Sequence, residues 1–133
     1  MTKTEQVLQK MLINPHLKSI ESSLTKIKHN LQAHEMILSR SHKLKPALLR
    51  NTEEKYKLDM KKYQTAMLIY AVVKCIEDEN LQQHILIQNP PYKLMDSVED
   101  ELYGTSIYDR VMDEYNELLD DEQVHNYNKY FQQ

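Results

Sequence analysis

His34 and Glu35 stand in the order that opens a zinc-binding helix, where a second histidine four residues after the first must supply the other ligand on the same face. That position is Leu38, so the ligand pair is absent. The six histidines, His16, His29, His34, His42, His84 and His125, share no close ligand spacing, and neither a metal nor any other cofactor is expected. Cys75 would act as a nucleophile only beside a base in an accessible, electropositive setting. Its place in the apolar run from Ala66 to Ile76 predicts a small core residue instead. Nucleotide chemistry ordinarily needs a glycine-rich turn that lets backbone amides approach an anion, and the chain has a single glycine, Gly104. Its carboxylates are too numerous and too evenly spread to single out an acid/base pair. No catalytic residue is assigned, and the expectation is binding without catalysis.

As a group the carboxylates mean something else. Residues 1–75 hold 14 Lys/Arg against 6 Asp/Glu, net +8, whereas residues 76–133 hold 3 against 14, net −11. Halves so polarised steer oppositely charged partners toward them and should prefer different macromolecular surfaces. The candidate acidic face comprises Asp96, Glu99, Asp100, Asp109, Asp113, Glu114, Glu117, Asp120 and Asp121. Tyr108 and Tyr115 are its candidate aromatic anchors, the residue type that contributes most to interface energy. Lys43, Lys45, Arg50, Lys55, Lys57, Lys61 and Lys62 form the candidate basic patch.

Helices must position these groups. With one glycine, four prolines and no tryptophan among abundant helix formers, the chain reads as all-α. Thr2 with Glu5 is a capping-box spacing, and Val7, Leu8, Met11 and Leu12 recur on one face of a first helix that ends before Asn14-Pro15. Pro15 suits the first turn of a second helix, in which Leu17, Ile20, Leu24, Ile27, Leu31, His34 and Leu38 alternate by three and four. That three-heptad seam packs either inside an antiparallel bundle or against a second copy, making a homodimer through Leu17, Ile20, Leu24, Ile27, Leu31 and Leu38 an open alternative. Lys43 to Arg50 reads as a basic connector, and Asn51 with Glu54 as the cap of a third helix reaching about Glu77, with Tyr56, Met60, Tyr63, Met67 and Tyr70 on its inner stripe. Shorter helices follow: Glu79 to Gln88, broken by Asn89-Pro90-Pro91; Met95 to Tyr103, capped by Asp96 with Glu99 and ended by Gly104; one from Thr105 or Ser106 with Ile107, Val111, Tyr115 and Leu118 inward; and Asp121 to Phe131. The expected architecture is a helical bundle of two longer N-terminal helices and a C-terminal helix-turn-helix-like cluster, with a basic region 1–77 and an acidic region 78–133 packed together. Neither a signal peptide nor a membrane span is expected, and the lone cysteine fits a reducing cytoplasm.

Over residues 70–120, Ile85-Leu86 in a scaffold helix, Val98 and Leu102 in a short second helix, and Thr105-Ser106-Ile107-Tyr108 opening a third make up a recognisable spacing. It resembles the carboxy-terminal helix-turn-helix of phage late-gene transcription activators of the ArpU and RinA type, which look like the fourth region of sigma factors. The resemblance implies a DNA-binding regulator in a bacterial host cell. Against it, the would-be recognition helix offers Asp109, Arg110, Asp113, Glu114 and Glu117, charges that duplex phosphates repel.

Two functions are therefore expected in order. The first is an inhibitor or adaptor whose acidic half docks on a basic, nucleic-acid-binding protein, in character like the small acidic proteins of phages and mobile elements that inhibit CRISPR nucleases. The second is a regulator whose basic N-terminal half holds DNA while Tyr108, Arg110 and Asn116 read it. A third arrangement lets the two halves neutralise one another, within one molecule or head to tail between two.

Overall fold

Seven α-helices make up the frame of the computed structural model, which describes residues 3–87 and 91–132. They are α1 (Lys3–Ile13), α2 (Leu17–Leu38), α3 (Pro46–Cys75), α4 (Glu79–Leu86), α5 (Leu94–Leu102), α6 (Ser106–Leu119) and α7 (Glu122–Phe131). The fold is an all-α helical bundle. The two longest members are α2, with 22 residues, and α3, with 30, and the later helices are the short ones.

The apolar seam of α2 is internal. Ile20, Ile27, Leu31 and Leu38 are buried, Leu24 packs against the same core, and α2 lies along α3 as an antiparallel hairpin. Polar contacts set the register near the two ends of α2: Tyr70 to Glu21 at 3.1 Å at its start, and His34 to Asp59 at 2.7 Å with Tyr56 to Glu35 at 3.5 Å toward its close. Of the seam residues named for a homodimer, Leu17, Ile20, Leu24, Ile27, Leu31 and Leu38, four are buried within the single chain and Leu17 and Leu24 are partly covered. Pro15 also lies outside the first turn, two positions before the first helical residue Leu17: His16 is the N-cap of α2, in extended conformation, and Pro15 precedes it.

Two further cap expectations are overturned. The third helix begins at Pro46, not Asn51, because a proline in the first turn has its φ preset for a helix while Lys45 before it is held extended at ψ 144°. The basic connector is thus largely helical. Asp96 sits within the first turn of α5, whose N-cap is Lys93 with no side-chain capping bond. Where caps are real they are short and specific: Asp78 accepts from the amides of Asn80 and Leu81, Thr105 from Tyr108, and Asp121 from Gln123 and Val124. Gly104 takes φ 87° just after α5, the left-handed residue that lets the chain turn into α6. The Thr2–Glu5 pairing and the Gln88-Asn89-Pro90 segment lie outside the described residues.

The carboxy-terminal half of α3 is surrounded. Ala66, Met67, Leu68, Ile69, Ala71 and Val72 are all buried, which is what a helix enclosed by neighbours requires instead of a single apolar stripe. On its free side run α6 and α7, antiparallel to it and nearly end to end. As the number falls along α3 from Cys75 and Lys74 through Tyr63 to Glu53, the partner rises from Arg110 and Glu114 through Asp121 to Tyr130. One apolar cluster, from Leu8 to Val124, joins the basic and acidic regions into a shared core.

Candidate protein-docking site

Helix α6 turns Val111 inward, with Ile107, Tyr115 and Leu118 packed against the core beside it. The opposite face is left to Asp109, Asp113 and Glu117, which are exposed and repeat every four residues, about 6 Å apart along the axis. Like charges at that spacing destabilise a helix by about 0.2–0.5 kcal/mol per pair. Acids near a helix C-terminus also oppose its dipole, and the last turn of α6 has no basic residue to compensate. Asp109, in the first turn, suits the dipole, whereas Asp113 and Glu117 gain no such compensation. In α5, Asp96, Glu99 and Asp100 form a second exposed group, again on one side of a helix.

Not every expected member belongs to the surface. Glu114 accepts a 2.9 Å bond from Lys74 on α3, a contact that raises the lysine's pKa. Asp121 is occupied twice over: one oxygen caps α7, and the other accepts from Tyr63 at 2.9 Å and Lys28 at 3.5 Å. Asp120 pairs with His125 at 2.8 Å on the surface. Tyr115 is partly buried and packs against the core, its hydroxyl pushed toward higher pKa by burial. Tyr108 is half-buried and stands edge-on to Tyr103, with ring centres 5.5 Å apart. Tyr103, at 77% exposure, is the aromatic side chain that this corner presents to solvent. The six carboxylates Asp96, Glu99, Asp100, Asp109, Asp113 and Glu117 have no ion pair among the described residues.

The basic patch is divided. At about 100° per residue, Arg50, Lys57 and Lys61 share one flank of α3, while Lys55 and Lys62 share another about 130° away. The ammonium of Lys57 lies over the Phe131 ring at 5.0 Å and that of Lys61 over the Tyr92 ring at 4.2 Å, so both charges are engaged by aromatic faces. Lys62 has a side chain only 12% exposed and pairs with Asp59 at 3.6 Å. That aspartate also binds His34, which places the seam histidine in a partly buried His–Asp–Lys cluster. Lys43, Lys45, Arg50 and Lys55 remain exposed without ion pairs among the described residues.

Cys75 is half-buried, with its thiol 3.5 Å from the carbonyl of Arg110; burial and the nearby Glu114 charge raise its pKa away from the reactive thiolate. Fold and surface together define an all-α bundle with unmatched carboxylates on its later helices. No protein-family model, curated protein or solved structure matches the chain. No helix among the described residues is long and apolar enough to cross a membrane.

Proposed function

We propose that the chain is a non-enzymatic binding protein, an inhibitor whose acidic face docks on the basic, nucleic-acid-binding surface of a partner protein and competes there with nucleic acid. The observation that carries this reading is the stripe of Asp109, Asp113 and Glu117, exposed, without ion pairs among the described residues and mutually repelling along one face of α6. One charge about every 6 Å approaches the phosphate of every second nucleotide along a strand, where charges recur about every 3.4 Å. Asp96, Glu99 and Asp100 on the adjoining α5 add to the density. Complementary charge of this kind gives fast association and partner choice.

A phage-type helix-turn-helix regulator is the second reading. Its support is the three-residue connection Tyr103–Thr105, containing Gly104, between α5 and α6, which is the turn length of that motif. It is the weaker reading because the helix that would enter the groove presents Asp109, Asp113 and Glu117 against Arg110, where counterion release calls for cations.

The test pairs a gel-shift titration on random duplex DNA at low and moderate salt with capture from a nuclease-treated bacterial lysate. An inhibitor leaves the DNA unshifted and retains a nucleic-acid-handling protein that duplex DNA then displaces. DNA retention with a steep salt slope and no such protein would instead establish the regulator.

A further inference from the structure

The tip of the α2–α3 hairpin carries a surface that neither the core nor the acidic face uses. Met36, Ile37, Arg40, Leu44 and Leu48 line an open groove of about 320 Å³. Its apolar members stand out of the core, Met36 at 66% exposure, Leu48 at 48% and Ile37 at 41%. Residues 36–50 include Arg40, Lys43, Lys45 and Arg50 and no Asp or Glu. None of those four cations has an ion pair among the described residues. Phosphates would use the cations but not the apolar floor. A groove of this composition fits an apolar knob ringed by carboxylates.

The chain itself carries such a knob. At the α5–α6 corner, the left-handed turn at Gly104 leaves Tyr103 projecting, braced edge-on by Tyr108. Residues 94–109 around it hold Asp96, Glu99, Asp100, Glu101 and Asp109 and no Lys or Arg. Groove and corner cannot meet within one molecule. The groove lies at the amino-terminal end of α3, and the corner at its carboxy-terminal end, where Cys75 contacts Arg110. The 30 residues of α3 separate them by about 45 Å.

We propose that the groove receives the α5–α6 corner of a second copy of this chain, with Tyr103 seated among Met36, Ile37 and Leu48 and the corner carboxylates facing Arg40, Lys43 and Lys45. The contact is heterologous, so each docked molecule keeps one free groove or corner, and association extends as a chain or closes into a ring. Docking covers part of the acidic face, which makes that face less available as protein concentration rises. The proposal does not depend on the partner described above.

Sedimentation velocity on the full chain tests it, across rising concentration at low and high salt. Species larger than the monomer grow with concentration at low salt and recede at high salt. A groove variant, Arg40→Glu with Lys43→Glu, and a corner variant, Tyr103→Ala with Asp100→Lys, each lose at least about tenfold in association constant. An equimolar mixture of the two forms a discrete dimer, because the intact corner of the first meets the intact groove of the second. All four positions are exposed, and circular dichroism checks that both variants keep their helices. A wild-type chain that stays monomeric at low salt, variants that associate as it does, or a mixture that stays monomeric would overturn the proposal. Binding to vesicles of phosphatidylserine in phosphatidylcholine without self-association would also overturn it, assigning the groove to a lipid surface.

Discussion

Tyr63 donates a 2.9 Å hydrogen bond to Asp121, joining the middle of α3 to the point where α6 gives way to α7. The same carboxylate caps α7 through its other oxygen and receives Lys28 from α2 at 3.5 Å. One side chain thus ties together the three helical layers of the bundle. It reaches the surface little, which removes it from the docking face to which its charge alone would assign it.

Asp121→Ala removes a helix cap worth about 1 kcal/mol and leaves the Tyr63 hydroxyl without a charged acceptor, worth about 1.5–3 kcal/mol. The expected loss of stability is about 2–4 kcal/mol in urea unfolding. Asp121→Asn keeps the cap and loses less. A double-mutant cycle with Tyr63→Phe should give clearly non-additive values, and additive ones would mean that the bond contributes nothing.

Alkaline pH should weaken the fold through Tyr63 and Tyr56. Burial first, then the bond to Asp121, raises the pKa of Tyr63 above the ordinary 10.0; burial and the Glu35 charge do the same for Tyr56. A group raised in the folded state stabilises it fully below the unfolded value, and that contribution is lost as pH climbs above about 10 toward the folded one. Unfolding midpoints should therefore fall as pH rises through that range. Tyr63→Phe, less stable at neutral pH, should show a shallower fall, and a parallel one would contradict the assignment.

Gly104 has φ 87°, and a Cβ built there would meet nothing within 4 Å. Only the backbone conformation resists substitution. Gly104→Ala should cost about 1–2 kcal/mol, and Gly104→Asn distinctly less because asparagine tolerates the left-handed region. Equal losses for the two would place the constraint elsewhere.

Local chemistry was the legible part of this chain. The three-and-four spacing of Ile20, Ile27, Leu31 and Leu38 marked a buried seam, and Gly104 with Thr105 marked the α5–α6 turn, because each depends on neighbours a few residues away. The start of α3 is not legible in the same way, because Asn51 and Glu54 have the spacing of a cap while lying inside a helix that begins at Pro46. Tertiary pairing was not legible at all. Glu114 and Asp121 look like their exposed neighbours in sequence, and only the antiparallel run of α6 and α7 along α3 brings Lys74 and Tyr63 to them. The basic patch divided for the same reason in reverse: Lys55, Lys57, Lys61 and Lys62 are close in number but fall on two flanks of one helix.

Neutralising the stripe separates what it does for the fold from what it does for binding. Asp109→Asn, Asp113→Asn and Glu117→Gln together remove two like-charge steps on α6, worth about 0.4–1 kcal/mol, and lose the favourable first-turn charge of Asp109, worth about 0.3–1 kcal/mol, so stability should stay within about 1 kcal/mol of wild type. A larger loss of stability would show that the carboxylates support the bundle.

The most direct measurement compares wild type with that triple variant as bait in a nuclease-treated bacterial lysate. The expected result is a basic, nucleic-acid-binding protein retained by the wild type, released by added duplex DNA and at least about tenfold depleted on the variant. Equal retention on both baits, or retention that duplex DNA leaves untouched, would contradict a docking role for the acidic face.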